Sequence, residues 1–420
     1  MLLETLFTER KNNAKYNTSY PISPNQWKEF KIMKDLDFSN CPELSFYIHI
    51  PFCQNLCRFC EYQRMVLPSH ELQLKYLHGV KNDIESFLTS YPTVTLKGFD
   101  IGGGTPTALD EECFGFLMNL YRDTIQRVSL SDDFEPSIEA TFQTISPAKI
   151  KQIVESGIKR LSLGIQSSVK SIQKINGRVN PSLLKIKETI HWLHDLGVEK
   201  VNLDLMYGLK DQTLEDVEHD IDCINFLSPE QVTLYELRTN MITLKGELSK
   251  EFLYASYKKF YDNLIQYGYS ALFGQNTFSK CTTDLGLSSY LRNRMVNFLP
   301  YKGFGLSAQS LTTEGISYNI GKQSCNLKDI VEKSNSFPSE DCYLLPPSEI
   351  LSKYIAVSGY YGRFSISVAN RILNSDFLEL YGEEVRFCLQ HGFIKIENNN
   401  VEITPKGYAY YGAVFSLFFN

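Results

Sequence analysis

Short apolar runs alternate with amphipathic stretches from Leu44 to about Asn240. The short runs are typical of strands, and the longer stretches carry apolar residues near helical spacing. The predicted strands are LSFYIHI, TLKGFDIGGG, PSIEATF, RLSLGIQ, KVNLDLMYG and QVTLYEL. The predicted helices are HELQLKYLHGVKNDIESFL, EECFGFLMNLYRDTI, SPAKIKQIVESG, PSLLKIKETIHWLHDLG and TLEDVEHDIDCINFL.

This repeated order of strand and helix implies a parallel sheet with right-handed crossovers. Six such units can form an open, three-quarter barrel, whereas a closed barrel needs eight. We therefore predict an α/β fold in which residues 44–240 form a partial (β/α)6 barrel.

Three further segments lie outside this predicted core. Residues 1–43 are polar with little periodicity and are expected to form an arm on the surface. Residues 241–345 lose the alternation, and we treat them as a connecting and substrate-side segment. Residues 346–420 form a small unit with three helical segments and then a hairpin, GFIKIENNNVEITPKG, which is typical of a winged-helix-like domain. The aromatic tail GYAYYGAVFSLFF is predicted to be a buried terminal helix.

Composition narrows the class of protein. Apolar residues make up 43% of the chain, but no run approaches the ~20 residues of a membrane span. The start, MLLETLFTERKNN, has early acids and lacks the apolar core of a secretory signal, so we expect a cytoplasmic protein. The net charge is −6 and the basic residues are dispersed, which argues against a nucleic-acid partner. We also expect a monomer.

The chain has ten cysteines, and in a cytosolic protein these are not expected to form a disulfide framework. Seven are scattered and are predicted to be small, mostly buried hydrophobic side chains: Cys41, Cys113, Cys223, Cys281, Cys325, Cys342 and Cys388.

The other three cysteines, Cys53, Cys57 and Cys60, lie in YIHIPFCQNLCRFCEY with the spacing C-x3-C-x2-C. Three thiolates on one loop can hold a soft metal centre. Structural zinc needs four ligands, and the nearest candidate, His49, lies in a strand. A [4Fe–4S] cluster held by three cysteines leaves one iron open to a ligand that is not protein.

S-adenosylmethionine (SAM) can chelate that iron through its amino and carboxylate groups. An electron from the cluster would then cleave the sulfonium bond and release a 5′-deoxyadenosyl radical, while the protein supplies placement and excludes water. Phe59, just before the third cysteine, would either pack against adenine or shield the cluster.

A glycine run follows the second predicted strand. Without side chains, Gly102, Gly103 and Gly104 let the backbone approach a ligand, and the free backbone groups can bind the methionyl charges of SAM. The alternative for a glycine run alone is a tight turn. Its position one strand after the three-cysteine loop favours ligand binding.

These motifs carry a family resemblance. The cysteine spacing resembles that of the radical SAM superfamily. The order YIHIPFC, GGGTPT, SIEAT, RLSLGIQS, NLDLMYGL and GFGLSA resembles the oxygen-independent coproporphyrinogen III oxidase-like family. That family includes the oxidase, a haem chaperone, haem-degrading enzymes and class C radical methyltransferases. The resemblance runs from about Tyr16 to the C-terminus.

The resemblance implies roles for individual residues. It implies Cys53, Cys57 and Cys60 as cluster ligands, and Gly103, Gly104 and Thr105 beside the methionyl group of SAM. The amino group, ribose and carboxylate of SAM would be held by the polar residues Glu139, Gln166, Arg178 and Asp204. For each of these the alternative is a locally paired polar residue. The family also implies that a second SAM could bind, with Met206, Tyr207 and Leu306 as the residues expected beside it.

The chain departs from the oxidase pattern at two places. Tyr62 stands where the oxidase has a fourth cysteine, and the Arg-Asn-aromatic-Gln segment of the oxidase is here Arg292-Asn293-Arg294-Met295. Both argue against oxidative decarboxylation. The N-terminal segment YNTSYP resembles the arm of the oxidase, whereas the chaperone begins almost at the cluster strand.

Three functions are therefore compared. The favoured one uses two SAM molecules to transfer a methyl or methylene carbon to an aromatic, unsaturated or tetrapyrrole substrate. The others are oxidative decarboxylation of coproporphyrinogen and haem carriage. Tyr47, Tyr62, Glu236 and Arg238 are candidates for positioning substrate or moving protons, with packed rings as the alternative for the tyrosines. The family implies an electron donor such as flavodoxin or ferredoxin.

Overall fold

The structure is a computed structural model that describes residues 2–11, 13, 16, 20–237, 249–322 and 326–419. Within these ranges, every helix is too short or too polar to cross a bilayer.

The strands, in chain order, are β1 (Lys31–Ile32), β2 (Glu43–Ile50), β3 (Phe52–Cys53), β4 (Met65–Val66), β5 (Thr95–Gly103), β6 (Ser129–Leu130), β7 (Ser137–Ala140), β8 (Arg160–Gln166), β9 (Lys200–Tyr207), β10 (Gln231–Glu236), β11 (Thr277–Ser279), β12 (Tyr301–Phe304), β13 (Gln309–Leu311), β14 (Gly315–Asn319), β15 (Ser339–Leu344), β16 (Arg363–Ser365), β17 (Ile394–Glu397) and β18 (Asn400–Ile403).

The helices are α1 (Leu2–Arg10), α2 (His70–Ser90), α3 (Glu111–Gln126), α4 (Pro147–Glu155), α5 (Lys170–Ile175), α6 (Leu183–Asp195), α7 (Leu214–Leu227), α8 (Lys250–Gln266), α9 (Ser289–Arg292), α10 (Leu327–Lys333), α11 (Pro347–Ser358), α12 (Ile366–Leu373), α13 (Phe377–Leu380), α14 (Gly382–Gln390), α15 (Pro405–Tyr408) and α16 (Tyr411–Ser416). Single 3₁₀ segments cover Pro24–Phe30, Pro106–Ala108 and Gly359–Tyr361, and a π-helical turn covers Asn293–Asn297.

The six predicted strands are all present and lie side by side in the order β2, β5, β7, β8, β9, β10. Every neighbouring pair in this series is parallel, with helices between successive strands. The predicted α/β fold with an open, barrel-like parallel sheet is confirmed.

The sheet extends beyond the predicted core on both sides. β12 pairs in parallel with β2, so the sheet has a seventh parallel strand, and β13, β14, β15 and β1 continue it antiparallel. β11 pairs antiparallel with β10 at the other edge. The segment predicted to be connecting and substrate-side, residues 241–345, therefore builds much of the sheet. The boundary proposed at residue 240 lies outside the described residues.

The two faces of the barrel strands differ in polarity because successive side chains of a strand point to opposite faces. The outer face is apolar and fully buried against the helices, as at Phe46, Ile48, Leu161, Leu203 and Leu205. The inner face is polar in every strand and encloses a space that we call the lumen. Its side chains include Ser45, Tyr47, His49, Asp100, Ser137, Glu139, Arg160, Ser162, Asn202, Asp204, Gln231, Thr233 and Tyr235.

A buried hydrogen-bond network closes the lower end of the lumen. The Arg160 guanidinium donates to Gln231 Oε1 at 2.8 Å and to Ser137 Oγ at 2.8 Å, which ties β8 to β10 and β7. Ser288 Oγ donates to Asp100 Oδ2 at 2.6 Å. The open end of the lumen therefore lies at the carboxyl ends of the strands.

The C-terminal unit contains the predicted hairpin. β17 and β18 pair antiparallel through Asn398 and Asn399, which both have the left-handed backbone that a tight hairpin turn requires, and β16 adds a third strand. The aromatic tail is helical and buried, as predicted, with Val414 and Phe418 fully inaccessible. The division at residue 346 stays a prediction.

The N-terminal arm is anchored by buried aromatic side chains, which the expectation of a surface arm did not include. Phe7 of α1 stacks on Phe393 with ring centroids 4.7 Å apart. Tyr20 and Trp27 are buried, and both donate hydrogen bonds to the Glu349 carboxylate of α11, at 2.6 and 2.7 Å. The arm therefore joins the C-terminal unit through a buried carboxylate, a long-range contact that local periodicity does not reveal.

We expect Glu349→Ala to lower the free energy of unfolding by about 2–4 kcal/mol, because two buried donors lose their shared acceptor. Urea unfolding at pH 7 measures this loss. The exposed Glu379 in α13 is the control, since Glu379→Ala should change stability by no more than about 0.5 kcal/mol. A loss below about 1 kcal/mol for Glu349→Ala would show that this contact is dispensable.

Candidate active site

The three-cysteine loop leaves the barrel at the end of β2. Cys53 belongs to the short strand β3, and its backbone carbonyl accepts a hydrogen bond from Leu67 N at 2.8 Å. The loop that carries Cys57 is held by Arg64, which donates to the Cys57 carbonyl at 2.6 Å. Arg58 N donates to the Asn176 carbonyl at 3.0 Å, which fastens the loop to the segment after α5.

The three thiols suit a soft metal centre. Burial raises the pKa of Cys53 to about 11 and also raises the pKa of Cys60. Cys57 and Cys60 raise the pKa of Cys53 further, because nearby thiolates repel one another. A metal cation would remove both penalties, since thiolates are its ligands. The residues present therefore fit an iron–sulfur cluster bound by three cysteines.

His49 does not offer a fourth metal ligand. Its Nε2 lies 2.9 Å from the Gln63 carbonyl and its Nδ1 lies 3.4 Å from the Tyr47 hydroxyl, so both ring nitrogens have partners. Burial lowers the pKa of His49 to about 4. This arrangement favours the three-ligand cluster over a zinc site completed by His49.

The glycine run ends β5 directly beside the cysteine loop. A Cβ atom at Gly104 would lie 3.0 Å from Cys53 Sγ and within 3.0 Å of the Ile50 and Phe52 carbonyl oxygens. A Cβ atom at Gly102 would lie 2.6 Å from the Glu139 carboxyl. The absent side chains thus bring the cysteine loop and Glu139 against one backbone edge.

Two predicted SAM-binding acids line the lumen. Glu139 accepts from Gly103 N at 3.0 Å; its side chain is enclosed by the sheet but faces the open space of the lumen. Burial raises the pKa of Glu139 to about 7. Asp204 accepts from Ser162 Oγ and Asn202 Nδ2, each at 2.9 Å, and burial raises its pKa. Both acids lie on inner faces of strands.

Gln166 and Arg178 lie at the end of β8. Gln166 has a left-handed backbone with φ of 69°, a conformation that is strained for a residue with a side chain and is often found at functional sites. The Arg178 guanidinium donates to the Gly164 carbonyl and lies 3.8 Å from Cys57 Sγ. Thr105 Oγ1 is 3.7 Å from Cys53 Sγ. All three residues lie within the same region as the cysteine loop.

A small apolar cluster borders the cysteine loop. It contains Phe59 and Met206, with Cys57 and Cys60 packed against it, and its other members are Ile172, Leu209 and Leu237. The structure separates Met206 from its predicted companions. Tyr207 points to the opposite face, where its hydroxyl lies 3.3 Å from that of Tyr408, and Leu306 belongs to the main core.

Comparison with known proteins shows which proteins the chain resembles. Residues 47–224 match the model of the radical SAM superfamily. The chain is 32% identical to the haem chaperone HemW of Bacillus subtilis over 46% of this chain and 50% of that protein. It is 23% identical to the oxygen-independent coproporphyrinogen III oxidase of Salmonella typhimurium over 93% of this chain and 89% of that protein. These matches support a place for the chain in the radical SAM, oxygen-independent coproporphyrinogen oxidase-like family.

The fold agrees over nearly the whole length. The solved structure of coproporphyrinogen III oxidase (HemN) from Escherichia coli superposes with a TM-score of 0.76 at 22% identity, covering 96% of this chain and 97% of that one. The alignments with the haem chaperones of Bacillus subtilis and Haemophilus influenzae span only about half the length of those relatives, 50% and 51%.

Within this radical SAM fold, the three predicted catalytic residues have different positions. Tyr47 lies in the lumen, where its ring stacks on Tyr290 with centroids 5.5 Å apart. Tyr62 is 63% exposed, at the rim of the lumen, and its hydroxyl raises the pKa of Tyr47 after larger effects from burial and Glu139. Catalytic roles for both stay predictions.

Glu236 does not face the lumen. Its carboxylate accepts from the Tyr411 hydroxyl of α16 at 3.2 Å, so it points toward the C-terminal unit. The alternation of β10 explains this, because Val232, Leu234 and Glu236 share the helix-facing side. Tyr235 has the lumen position instead, and sequence analysis missed it although the apolar alternation in VTLYE could have indicated it. Arg238 lies outside the described residues.

Several other lumen residues had no predicted role. Tyr290 comes from α9 and Arg294 from the π-helical turn, and both lie beside Tyr47. Of the scattered cysteines in the described residues, five are buried as expected, but Cys281 is exposed. Cys325 lies outside the described residues.

The pKa of Glu139 predicts a pH dependence of SAM binding. If the ionised carboxylate holds the amino group of SAM, the ionised fraction grows about tenfold between pH 6 and pH 8 for a pKa of about 7. We expect the dissociation constant of SAM for the reconstituted protein to fall by about the same factor as the pH rises, as measured by equilibrium dialysis. Glu139→Gln should remove this dependence, and the difference between the two proteins cancels the titration of SAM itself. Parallel pH profiles for both proteins would exclude this role.

Proposed function

We propose that this protein is a radical SAM enzyme in which Cys53, Cys57 and Cys60 hold a [4Fe–4S] cluster. When bound, the cluster supplies the electron that cleaves SAM and yields a 5′-deoxyadenosyl radical. The observation that carries the proposal is that Cys53 lies directly against Gly104, with Cys57 and Cys60 near enough to affect its electrostatics, at the open end of a polar lumen. The superfamily match over residues 47–224 supports it.

The chain's own residues would place SAM between the cluster and the lumen. The backbone N–H of Gly103 donates to the Glu139 carboxylate and fixes its position, and this carboxylate would accept a hydrogen bond from the methionyl amino group. Arg178, beside Cys57, would bind the carboxylate, and Asp204 would accept from the ribose hydroxyls. Phe59 would cover adenine and exclude water, since it packs in the apolar cluster next to the loop.

The finer proposal is transfer of a methyl or methylene carbon from a second SAM to an aromatic, unsaturated or tetrapyrrole substrate. Two departures from the oxidase pattern support it, Tyr62 in place of a fourth cysteine and Arg294 in place of an aromatic residue. Met206 faces the cluster side of the lumen and is the residue expected to contact the second SAM. A protein such as flavodoxin or ferredoxin would be the electron donor.

A second candidate is oxidative decarboxylation of coproporphyrinogen. The similarity to the Escherichia coli oxidase over 97% of that chain favours it, because the shared region includes the parts outside the radical SAM core. Haem carriage, the function named for the chaperone relatives, has support from alignments over about half of those proteins.

The test is anaerobic reconstitution of the cluster followed by SAM and dithionite. 5′-Deoxyadenosine is the expected first product, and its absence from a protein with a full iron content would refute the radical proposal. With coproporphyrinogen III or an aromatic substrate added, S-adenosylhomocysteine together with a methylated product supports carbon transfer. Carbon dioxide release without S-adenosylhomocysteine supports the oxidase instead. Haem binding without SAM consumption supports carriage.

A further inference from the structure

An arginine in the lumen has no acidic partner among the residues that the structure describes. Arg294 lies in the π-helical turn Asn293–Asn297, a type of helix distortion that is frequent at functional sites. The turn is held firmly, since Asn293 Nδ2 donates to the Lys97 carbonyl at 2.9 Å and Ser358 Oγ donates to the Met295 carbonyl at 2.8 Å. Its position is therefore set by the fold.

Aromatic and amide groups surround the guanidinium. Its carbon lies 5.4 Å from the ring centroid of Tyr301, and one terminal nitrogen donates to Gln309 Oε1 at 3.3 Å. The stacked pair Tyr47 and Tyr290 is on another side, close enough to affect its electrostatics. The Gln309 amide is itself fixed, because its Nε2 donates to the Tyr318 hydroxyl at 2.8 Å.

The donors of Arg294 are not all used. Its Nε is buried and has no hydrogen-bond acceptor. Across the parts of the chain that the structure describes, no carboxylate forms an ion pair with Arg294. Arg294 as a whole is half-buried, but leaving a buried donor such as its Nε without an acceptor is costly, and proteins usually avoid this. The neighbouring tyrosine oxygens raise the pKa of Arg294 against the effect of burial, so the guanidinium remains charged.

The charged groups of the lumen are unevenly distributed. Glu139 and Asp204 lie in the part assigned to SAM, with Arg160 at its base, whereas Arg294 is near Lys322, on which Glu61 also acts. Tyr47 lies between the two parts, since both Glu139 and Arg294 act on its electrostatics. A molecule held at Arg294 would therefore lie against the Tyr47 ring, directed toward the proposed SAM site.

We propose that Arg294 binds a carboxylate, or an equivalent two-oxygen anion, on the substrate, so that the substrate is a ring compound carrying an acid group. A bidentate carboxylate would accept from the unused guanidinium donors and neutralise the charge. The flanking tyrosine rings would stack on the ring of the substrate. This inference rests on the proposed function, because it assumes that the lumen is where substrate meets SAM.

A matched pair of probes tests the inference. Isothermal titration of naphthalene-2-carboxylate and naphthalene-2-carboxamide into the cluster-loaded, SAM-bound protein, without reductant, compares an acid with a neutral isostere. We expect the acid to bind at least about tenfold more tightly, the effect of one charge-assisted contact. Arg294→Met should abolish the difference, and Arg294→Lys should keep part of it, because lysine retains the charge without the fork.

Arg292 is the control, two residues away. Its guanidinium pairs with Asp133 at 2.7 Å on the surface, so Arg292→Met should keep the preference for the acid. Thermal unfolding shows whether Arg294→Met is folded. If it is not, the test is whether Arg294→Lys has a smaller preference for the acid than the unaltered protein. Equal binding of both probes, binding of neither, or a preference that survives in the folded Arg294→Met protein overturns the inference.

The inference and the proposed function can fail separately. Formation of 5′-deoxyadenosine by the unaltered protein, without any probe, tests radical chemistry alone. A protein that prefers the acid but cleaves no SAM refutes the proposed function and keeps the anion site. A protein that cleaves SAM but does not distinguish the probes keeps the function and refutes the anion site.

Discussion

Cys57→Ala should lose its iron and its formation of 5′-deoxyadenosine. The loop offers three thiols as cluster ligands, and three ligands leave one iron free to bind SAM. A variant with two thiols cannot hold the cluster in this arrangement. Loss of a group that merely supports a metal ligand typically costs 10–100-fold, so loss of a ligand should reduce turnover by at least about a hundredfold. Iron and sulfide content after anaerobic reconstitution, with nucleoside analysis by chromatography, measures both effects.

The matched control is Cys281→Ala. Among the described cysteines outside the loop, Cys281 is the exposed one, so its replacement removes a thiol without touching the proposed site. It should reconstitute with iron and cleave SAM as the unaltered protein does. If Cys57→Ala retained a four-iron cluster and made the nucleoside at an undiminished rate, the assignment of the loop would be wrong.

Gly104→Ala should have the second largest effect. The added methyl group would lie 3.0 Å from Cys53 Sγ and 2.8 and 2.9 Å from two backbone carbonyl oxygens. The carbonyls belong to β2 and β3 and cannot rotate away, so the cysteine strand must shift. We expect stability to fall by about 1–3 kcal/mol, as for overpacked sites, and cluster retention and turnover to fall about 10–100-fold.

Gly382→Ala provides the comparison for Gly104→Ala. A Cβ atom at Gly382 meets nothing within 4 Å, and the residue begins helix α14 with ordinary backbone angles. This variant should keep its iron content and be as stable as the unaltered protein or slightly more stable. Urea unfolding and iron analysis of both variants separate a general effect of alanine from a collision at the cysteine strand. Normal iron content in Gly104→Ala would mean that the cysteine strand can shift to accommodate the added methyl group without losing the cluster.

Local patterns in the sequence predicted the barrel well. The helix α4 begins after Ser146, whose side chain caps it, and ends before Gly157, which has a left-handed backbone, as the sequence indicated. The six strands were evident for a similar reason, because each one is a short apolar run between amphipathic helices. These signals depend only on neighbours along the chain.

Contacts between distant segments could not be predicted in this way. β12 joins the sheet because Tyr301 pairs in register with Ser45, and nothing in YKGF specifies that partner. The burial of Tyr20 and Trp27 likewise depends on Glu349, more than 300 residues away. Both are decided by tertiary packing, which overrides weak local preference.

The orientation of side chains at the site was only partly predictable. Glu236 was chosen for its chemistry, yet the parity of β10 turns it away and places Tyr235 in the lumen. Arg294 was noticed only as a departure from a family pattern. Its significance comes from the absence of an acidic neighbour among the described residues, which only three-dimensional structure reveals.

The contact between α1 and the C-terminal unit has a consequence for biosynthesis. The Arg10 guanidinium donates to the Ser416 carbonyl, 406 residues later in the chain, and Phe7 stacks on Phe393. At 5–20 residues per second, a ribosome needs roughly 20–80 s to make the chain between them. During that interval α1 has no docking surface, so it can settle only after the C-terminal unit has been made.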